Sequence, residues 1–358
     1  MSTRTRRENN FNIIRFVAAL MVMAGHMAYI CGGELPILWA EGIQALGVKI
    51  FFLVGGFLIS KSWLSDSSPK RYIIKRVIRI FPALIVYCVI TTYIIGPILT
   101  NIPIKEYFKN PDTVLYLKNI LLFPIYSLPG VFTQNPYPNA VNGSLWTLPV
   151  ECALYVIVPI VITILNVKKK DNRSLILLSI WTIFLCIFQV VRSKYFPEYR
   201  LVIYGTDTMA ASELIPWYFV GIIYTYPCVQ KYLNIQIAII LMLVFSCLPS
   251  GMMLGSIIKY FVFSYLIFSF ALAKEPMFAN TFRRYEISYG IYLYSFLIQQ
   301  IVVYGFKQMR IGLGQIWVFL ICVMITSFVG VLSTVFIEIP AQKISAKLLN
   351  KIGNNKND

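Results

Sequence analysis

Arg15 and His26 lie eleven residues apart in one apolar run near the start of the chain. Ionisable groups inside a membrane are costly, so each is a functional candidate. Eleven residues make about three helical turns, which puts both side chains on one face with about 16 Å between them. His26 is the only histidine in the chain. Glu151 is the next charge inside an apolar segment, after Asn142-Gly143-Ser144-Leu145-Trp146-Thr147-Leu148-Pro149-Val150. Measured from the nearer segment ends, His26 lies about 8 Å deep and Glu151 about 9 Å. A carboxylate at that height favours an imidazolium and fixes the ring tautomer. Arg76 and Arg79 share a helix face and form, with Arg15, a cationic mouth suited to a phosphate-rich ligand. Each group also has a plainer reading. Arg15 serves as a snorkelling anchor, Arg76 as ordinary interfacial charge, and His26 and Glu151 as packing or capping groups.

The elements that must hold these groups are membrane helices. The chain of 358 residues is 58% hydrophobic and only 13% charged, a balance that excludes an ordinary soluble domain. Ten apolar segments fall near 11–31, 43–62, 73–98, 145–166, 174–192, 211–227, 233–249, 255–272, 287–306 and 315–338. The sixth and seventh are short. The expected fold is all-α, a polytopic transmembrane bundle of about ten helices, with one membrane domain over 1–342 and a basic tail over 343–358. Arg4, Arg6 and Arg7 ahead of an apolar run resemble a signal peptide, but Arg15 and His26 interrupt the run and Cys31 lacks a lipoprotein context, so the segment reads as the first helix.

Charge sets the orientation. The net charge is +17, and its basic clusters lie at alternate segment ends: the N-terminus, Lys70-Arg71 with Lys75-Arg76, Lys168-Lys169-Lys170 with Arg173, Arg283-Arg284, and the tail. Lys105, Lys118 and Arg200 are scattered singly on the other side. This predicts a cell (inner) membrane protein with both termini cytoplasmic and the loop near 99–143 outside. No basic stripe stands apart from the membrane edges, so nucleic acid is not an expected partner. The loop carries six prolines and reads either as a lid or as a connector with a helix near Thr113–Phe123. Seven cysteines, mostly within apolar runs and without a CxxC pair, and one histidine predict no disulfide framework and no metal. Gly55-Gly56 predicts close helix packing. Glu286 and Gln299-Gln300 read as architectural, and Glu338 as a partner for a cytoplasmic arginine.

These segments resemble, in order, the membrane-bound acyltransferase-3 family. The resemblance rests on Asn9-Asn10-Phe11-Asn12-Ile13-Ile14-Arg15 and the spacing to His26, Gly47-Val48-Lys49-Ile50-Phe51-Phe52, and Arg76-Val77-Ile78-Arg79-Ile80-Phe81-Pro82. It continues through Gly143 to Glu151, Ile287-Ser288-Tyr289-Gly290-Ile291-Tyr292-Leu293-Tyr294 and Phe336-Ile337-Glu338-Ile339-Pro340. It implies a ten-helix enzyme that takes acetyl from cytoplasmic acetyl-CoA and places it on a glycan, in a stand-alone form without a fused extracytoplasmic domain. Two positions depart from the family pattern: Gly55, where relatives carry serine, and Ser295, where many carry a further histidine.

The expected mechanism is general-base catalysis by His26, oriented by Glu151, on an acceptor hydroxyl that attacks the thioester. An acetylated His26 is the covalent variant. Arg15, Arg76 and Arg79 hold the donor's phosphates, and Ser144 and Trp146 are the expected acceptor contacts. The expected partners are the bilayer, acetyl-CoA and a glycan acceptor. The rival reading is a transporter or flippase for a lipid-linked sugar, with His26 and Glu151 as a proton relay. No internal repeat supports it.

Overall fold

Ten long helices account for most of the chain in a computed structural model that describes residues 9–198, 201–248, 252–282, 285–312 and 314–354. They are α1 (Phe11–Cys31), α2 (Ile43–Ser65), α3 (Pro69–Leu99), α4 (Thr147–Ile164), α5 (Asn172–Tyr195), α6 (Thr208–Ile223), α7 (Ile235–Ser246), α8 (Met253–Ala271), α9 (Ser288–Gln308) and α10 (Gln315–Ser333). Each coincides with one of the ten apolar runs to within a few residues. Seven are long and apolar enough to cross a membrane, and α6 and α7 are the short pair. The more polar α9 is instead the most enclosed, with Tyr289, Tyr292, Ser295, Gln299 and Gln300 all buried. The outer face of α5 presents Ile176, Ile180, Phe184 and Phe188. Their spacing of four makes an apolar stripe suited to lipid. The protein is an all-α multi-pass membrane bundle.

The helical path widens by one turn at two places. α3 opens at Thr91–Ile95, just before Pro97, and the chain opens in the same way directly after α10, at Thr334–Glu338, just before Pro340. A proline cannot donate to the carbonyl four residues back, and a wide turn accommodates the missing bond. After the second one the chain continues as a polar helix, Ile339–Asn354, which packs on α3. The segment read as a tail therefore begins inside a helix.

Glycines set the closest helix contacts. A Cβ on Gly56 would lie 1.9 Å from the Tyr218 carbonyl oxygen, and one on Gly221 would lie 2.1 Å from that of Leu53. The Gly55-Gly56 pair therefore works as a packing device between α2 and α6, as its sequence suggested.

The two ends of the bundle differ. At one end, Asn10 reaches the Ala271 and Phe270 carbonyls, and Lys170 meets Thr225. This end carries the described basic clusters. Arg4, Arg6, Arg7, Arg200, Arg283 and Arg284 lie outside the described residues. The other end is covered by the segment between α3 and α4. That segment is folded: Thr100 bridges Val131, Tyr107 and Tyr116 are fully buried, and the expected helix near Thr113–Phe123 is two short turns, Pro111–Leu115 and Tyr116–Leu121. Two small hairpins, Ile37–Leu38 with Glu41–Gly42 and Val202–Ile203 with Thr206–Asp207, complete this loop end.

Asn139 and Asn172 are exposed at opposite ends, which makes the orientation testable. With the exposed Cys228 and Cys247 replaced, a cysteine at 139 is expected to react with an impermeant maleimide on intact cells. One at 172 is expected to react only after permeabilisation. The reverse pattern would invert the assignment of the basic end to the cytoplasm.

Candidate active site

At the basic end, four charged residues from four parts of the chain interlock. Arg15 of α1 donates to Glu286 Oε2 at 2.9 Å, and Arg79 of α3 donates to the same oxygen at 2.5 Å. The second arm of Arg79 reaches Glu338 Oε2 at 3.2 Å, and the other Glu338 oxygen accepts from Ser333 and Thr334. The wide turn after α10 carries Glu338 inward, to a side-chain exposure of 4%. Glu286 sits just ahead of α9. Burial opposes its charge, but Arg15, Arg79 and the Ser288 hydroxyl outweigh burial and pull its carboxyl down to about 2. The expected pairing of Glu338 with an arginine is present. Glu286, read as architectural, is the hub that joins α1, α3 and α9.

This network separates the three predicted arginines. Arg15 and Arg79 are neutralised by carboxylates. Arg76 has no ion pair among the described residues: its guanidinium lies over Tyr72 and Tyr155 at 5.5 and 5.7 Å and donates to Ser62 Oγ at 3.3 Å. Its neighbour Lys75 is paired to Asp66 at 3.1 Å.

All three arginines line a cavity of about 280 Å³. It runs from this mouth, past Phe51, Gly55 and Tyr218, to Thr147, Glu151 and Tyr292. Its walls are mostly apolar. At the inner end Tyr292 OH lies 2.5 Å from Thr147 Oγ1 and donates to the Ser144 carbonyl at 3.0 Å. Beyond this wall stands His26, whose Nδ1 makes a long contact of 3.5 Å with Ser144 Oγ and whose ring meets Phe296 edge-on at 5.1 Å.

The turn before α4 is built to present Ser144. Asn142 Oδ1 accepts from the Ser144 backbone N–H at 2.9 Å, while its amide nitrogen donates to Tyr87 OH and the Leu293 carbonyl. A Cβ on Gly143 would lie 2.8 Å from Phe296. Only glycine leaves room there for the ring that packs on His26.

Glu151 lines the cavity, but no hydrogen bond or ion pair joins it to His26. Its carboxylate accepts instead from Tyr155 OH, one turn along α4. Ser144, which meets His26, precedes Glu151 by seven residues, and Glu151 sits instead beside Tyr155 and Tyr218 in the cavity. Trp146 is half-buried against the core and is not among the residues that line the cavity. The hydroxyl groups of Thr147, Tyr155 and Tyr292 were not singled out by sequence. The spacing of four between Glu151 and Tyr155 was the available signal. Among the described residues no cluster of three or more His, Cys, Asp or Glu is placed to hold a metal.

The bundle thus holds an internal cavity that leads from a guanidinium-lined mouth to the wall in front of a half-buried imidazole. The chain belongs to the acyltransferase-3 family: the family model described as an acyltransferase domain matches residues 8–335. It is therefore a membrane acyltransferase. It is 28% identical over 305 residues to the O-acetyl transferase of Shigella phage Sf6, which covers 83% of this chain and 86% of that protein. It is 26% identical to nodulation protein 10 of Rhizobium leguminosarum bv. viciae, covering 95% of each. It is 28% identical to the peptidoglycan O-acetyltransferase OatA of Listeria monocytogenes, covering 92% of this chain and 55% of that protein. No solved structure matches it.

Proposed function

We propose that this acyltransferase moves an acetyl group from cytoplasmic acetyl-CoA to a sugar hydroxyl of a cell-surface or exported polysaccharide. The observation that carries the reading is the cavity that joins Arg76, which has no ion pair among the described residues, to the Thr147–Tyr292 wall that backs onto His26. The names of the phage and Listeria relatives support acetyl as the group and a glycan as the acceptor. Arg76 binds the donor's phosphates. Arg15 and Arg79 shape the mouth and contribute whatever charge their carboxylates leave uncompensated. The thin pantetheine arm occupies the apolar middle, and the thioester lies near Thr147 and Tyr292.

In the transfer step His26 removes the proton from the acceptor hydroxyl as its oxygen attacks the thioester carbonyl. The carbon–sulfur bond breaks, and the proton passes from the imidazolium to the departing thiolate. Ser144 orients the ring. Glu151, bonded to Tyr155 in the cavity wall, supports the imidazolium through space. A direct bond would do this more strongly, so its contribution is smaller than that of a carboxylate in contact.

The donor half of this proposal has its own test. Arg76→Ala is expected to raise the KM for acetyl-CoA by about tenfold to a hundredfold, the scale of a lost charge-assisted hydrogen bond. The KM for the glycan should stay unchanged. Arg76→Lys should restore part of the loss, because it keeps the charge but not the planar fork. An unchanged donor KM in folded Arg76→Ala protein would remove Arg76 from the donor site.

A further inference from the structure

A second cavity, of about 610 Å³, opens at the loop end between α2, α5, α6, α7 and α8. That volume lies within the roughly 300–1,000 Å³ of small-molecule sites. Its walls include four aromatic side chains, Trp39, Trp217, Phe245 and Tyr260, with the Trp217 and Tyr260 ring centroids 4.5 Å apart. Its polar groups are partly committed. Glu41 Oε1 accepts from Lys49 at 2.7 Å and from Lys259 at 3.0 Å, and Lys259 also donates to the Trp39 carbonyl at 3.1 Å.

Two polar atoms of this cavity's lining residues are buried without a partner. One is Glu41 Oε2, an acceptor. The other is the indole N–H of Trp217, a donor on a side chain only 1% exposed. A buried indole N–H ordinarily finds a partner, and leaving one unmet costs about 1–3 kcal/mol. A free acceptor and a free donor beside aromatic faces fit a ligand whose groups both donate and accept and whose ring carries an apolar C–H face. Phosphate fits poorly. Lys49 and Lys259 are held by Glu41, and the second Glu41 oxygen and the Glu213 carboxylate oppose an anion, with Lys194 the remaining lysine of the lining.

We propose that this cavity binds a neutral sugar unit of the acceptor glycan, one that is not acetylated at His26. Lys49 and Trp217 line it, while their chain neighbours Val48 and Tyr218 line the donor cavity. α2 and α6 therefore stand between the two chambers, and His26 does not line this one. The site reads a sugar beside the one being modified and so selects the polymer. Calling the ligand part of the acceptor rests on the transferase reading. The binding chemistry does not.

The test uses the purified full chain in nanodiscs, without acetyl-CoA. The probes are methyl glycosides of neutral hexoses, 6-deoxyhexoses and N-acetylhexosamines, followed by saturation-transfer NMR and titration. At least one glycoside is expected to bind saturably. Trp217→Phe keeps a ring and removes the N–H, and should weaken binding about tenfold, the scale of one buried hydrogen bond. Glu41→Gln should weaken it similarly. Arg76→Ala should leave it unchanged, and inorganic phosphate should not compete. No saturable binding across the panel would overturn the proposal. So would binding that both cavity variants leave intact, or displacement by phosphate. Acetyl-CoA binding measured on the same preparations reports separately on the transferase reading.

Discussion

Replacing His26 with alanine is expected to lower transfer by about 10²–10⁴-fold, the usual cost of losing a general base, while acetyl-CoA still binds. The imidazole lies past the Ser144–Tyr292 wall, away from the arginines that line the cavity mouth. With one histidine in the chain, no second imidazole substitutes for it. Glu151→Gln is expected to slow turnover as well, but less, because Glu151 bonds Tyr155 and not His26. The double variant separates two roles. If Glu151 acts by supporting the imidazolium, its loss adds little once His26 is gone. Losses that multiply would place Glu151 in ligand binding. Near-normal turnover by folded His26→Ala protein would remove His26 from the chemistry.

Arg79→Ala is expected to be chiefly a stability defect. Arg79 ties Glu286 to Glu338, and without it Glu338 remains buried with only the Ser333 and Thr334 hydroxyls. Removing one partner of such a buried pair typically costs about 3–5 kcal/mol, because the other charge is left uncompensated. Glu286 keeps Arg15, so the loss should fall toward the lower end. The purified variant should melt earlier and give less monodisperse protein in detergent. Adding Glu338→Gln should recover part of the stability, since it neutralises the stranded carboxylate. Wild-type melting with a raised donor KM would show instead that Arg79 is a phosphate ligand.

Much of this architecture was legible in the sequence because lipid imposes simple rules. Runs of about 20 apolar residues located the helices, including α9, whose tyrosines and glutamines make it the least apolar of the long ones. The pairing of Glu338 with an arginine was legible too, because a carboxylate at a basic helix end needs a partner. The relation of His26 to Glu151 was harder. Their depths were estimated from segment ends, but α4 begins at Thr147 after a turn pinned by Asn142, and Tyr155 takes the carboxylate. A residue's place along its own helix follows from counting, but its level against another helix does not. The direction a side chain faces depends on connectors and on competing hydroxyls that counting does not weigh. For the same reason the arginines could not be ranked from sequence: Arg76 and Arg79 share a helix face, and only the placement of Glu286 and Glu338 shows that Arg79 is neutralised while Arg76 is not.

The most direct measurement is transfer of label. Purified protein in nanodiscs is incubated with acetyl-CoA radiolabelled in the acetyl group and with a panel of envelope polysaccharides, and the polymer fraction is then counted. The label is expected in an alkali-labile ester on at least one glycan, with free CoA released in equal amount and both signals lost in His26→Ala. Release of CoA without labelled glycan, or labelling that survives in folded His26→Ala protein, would contradict the account.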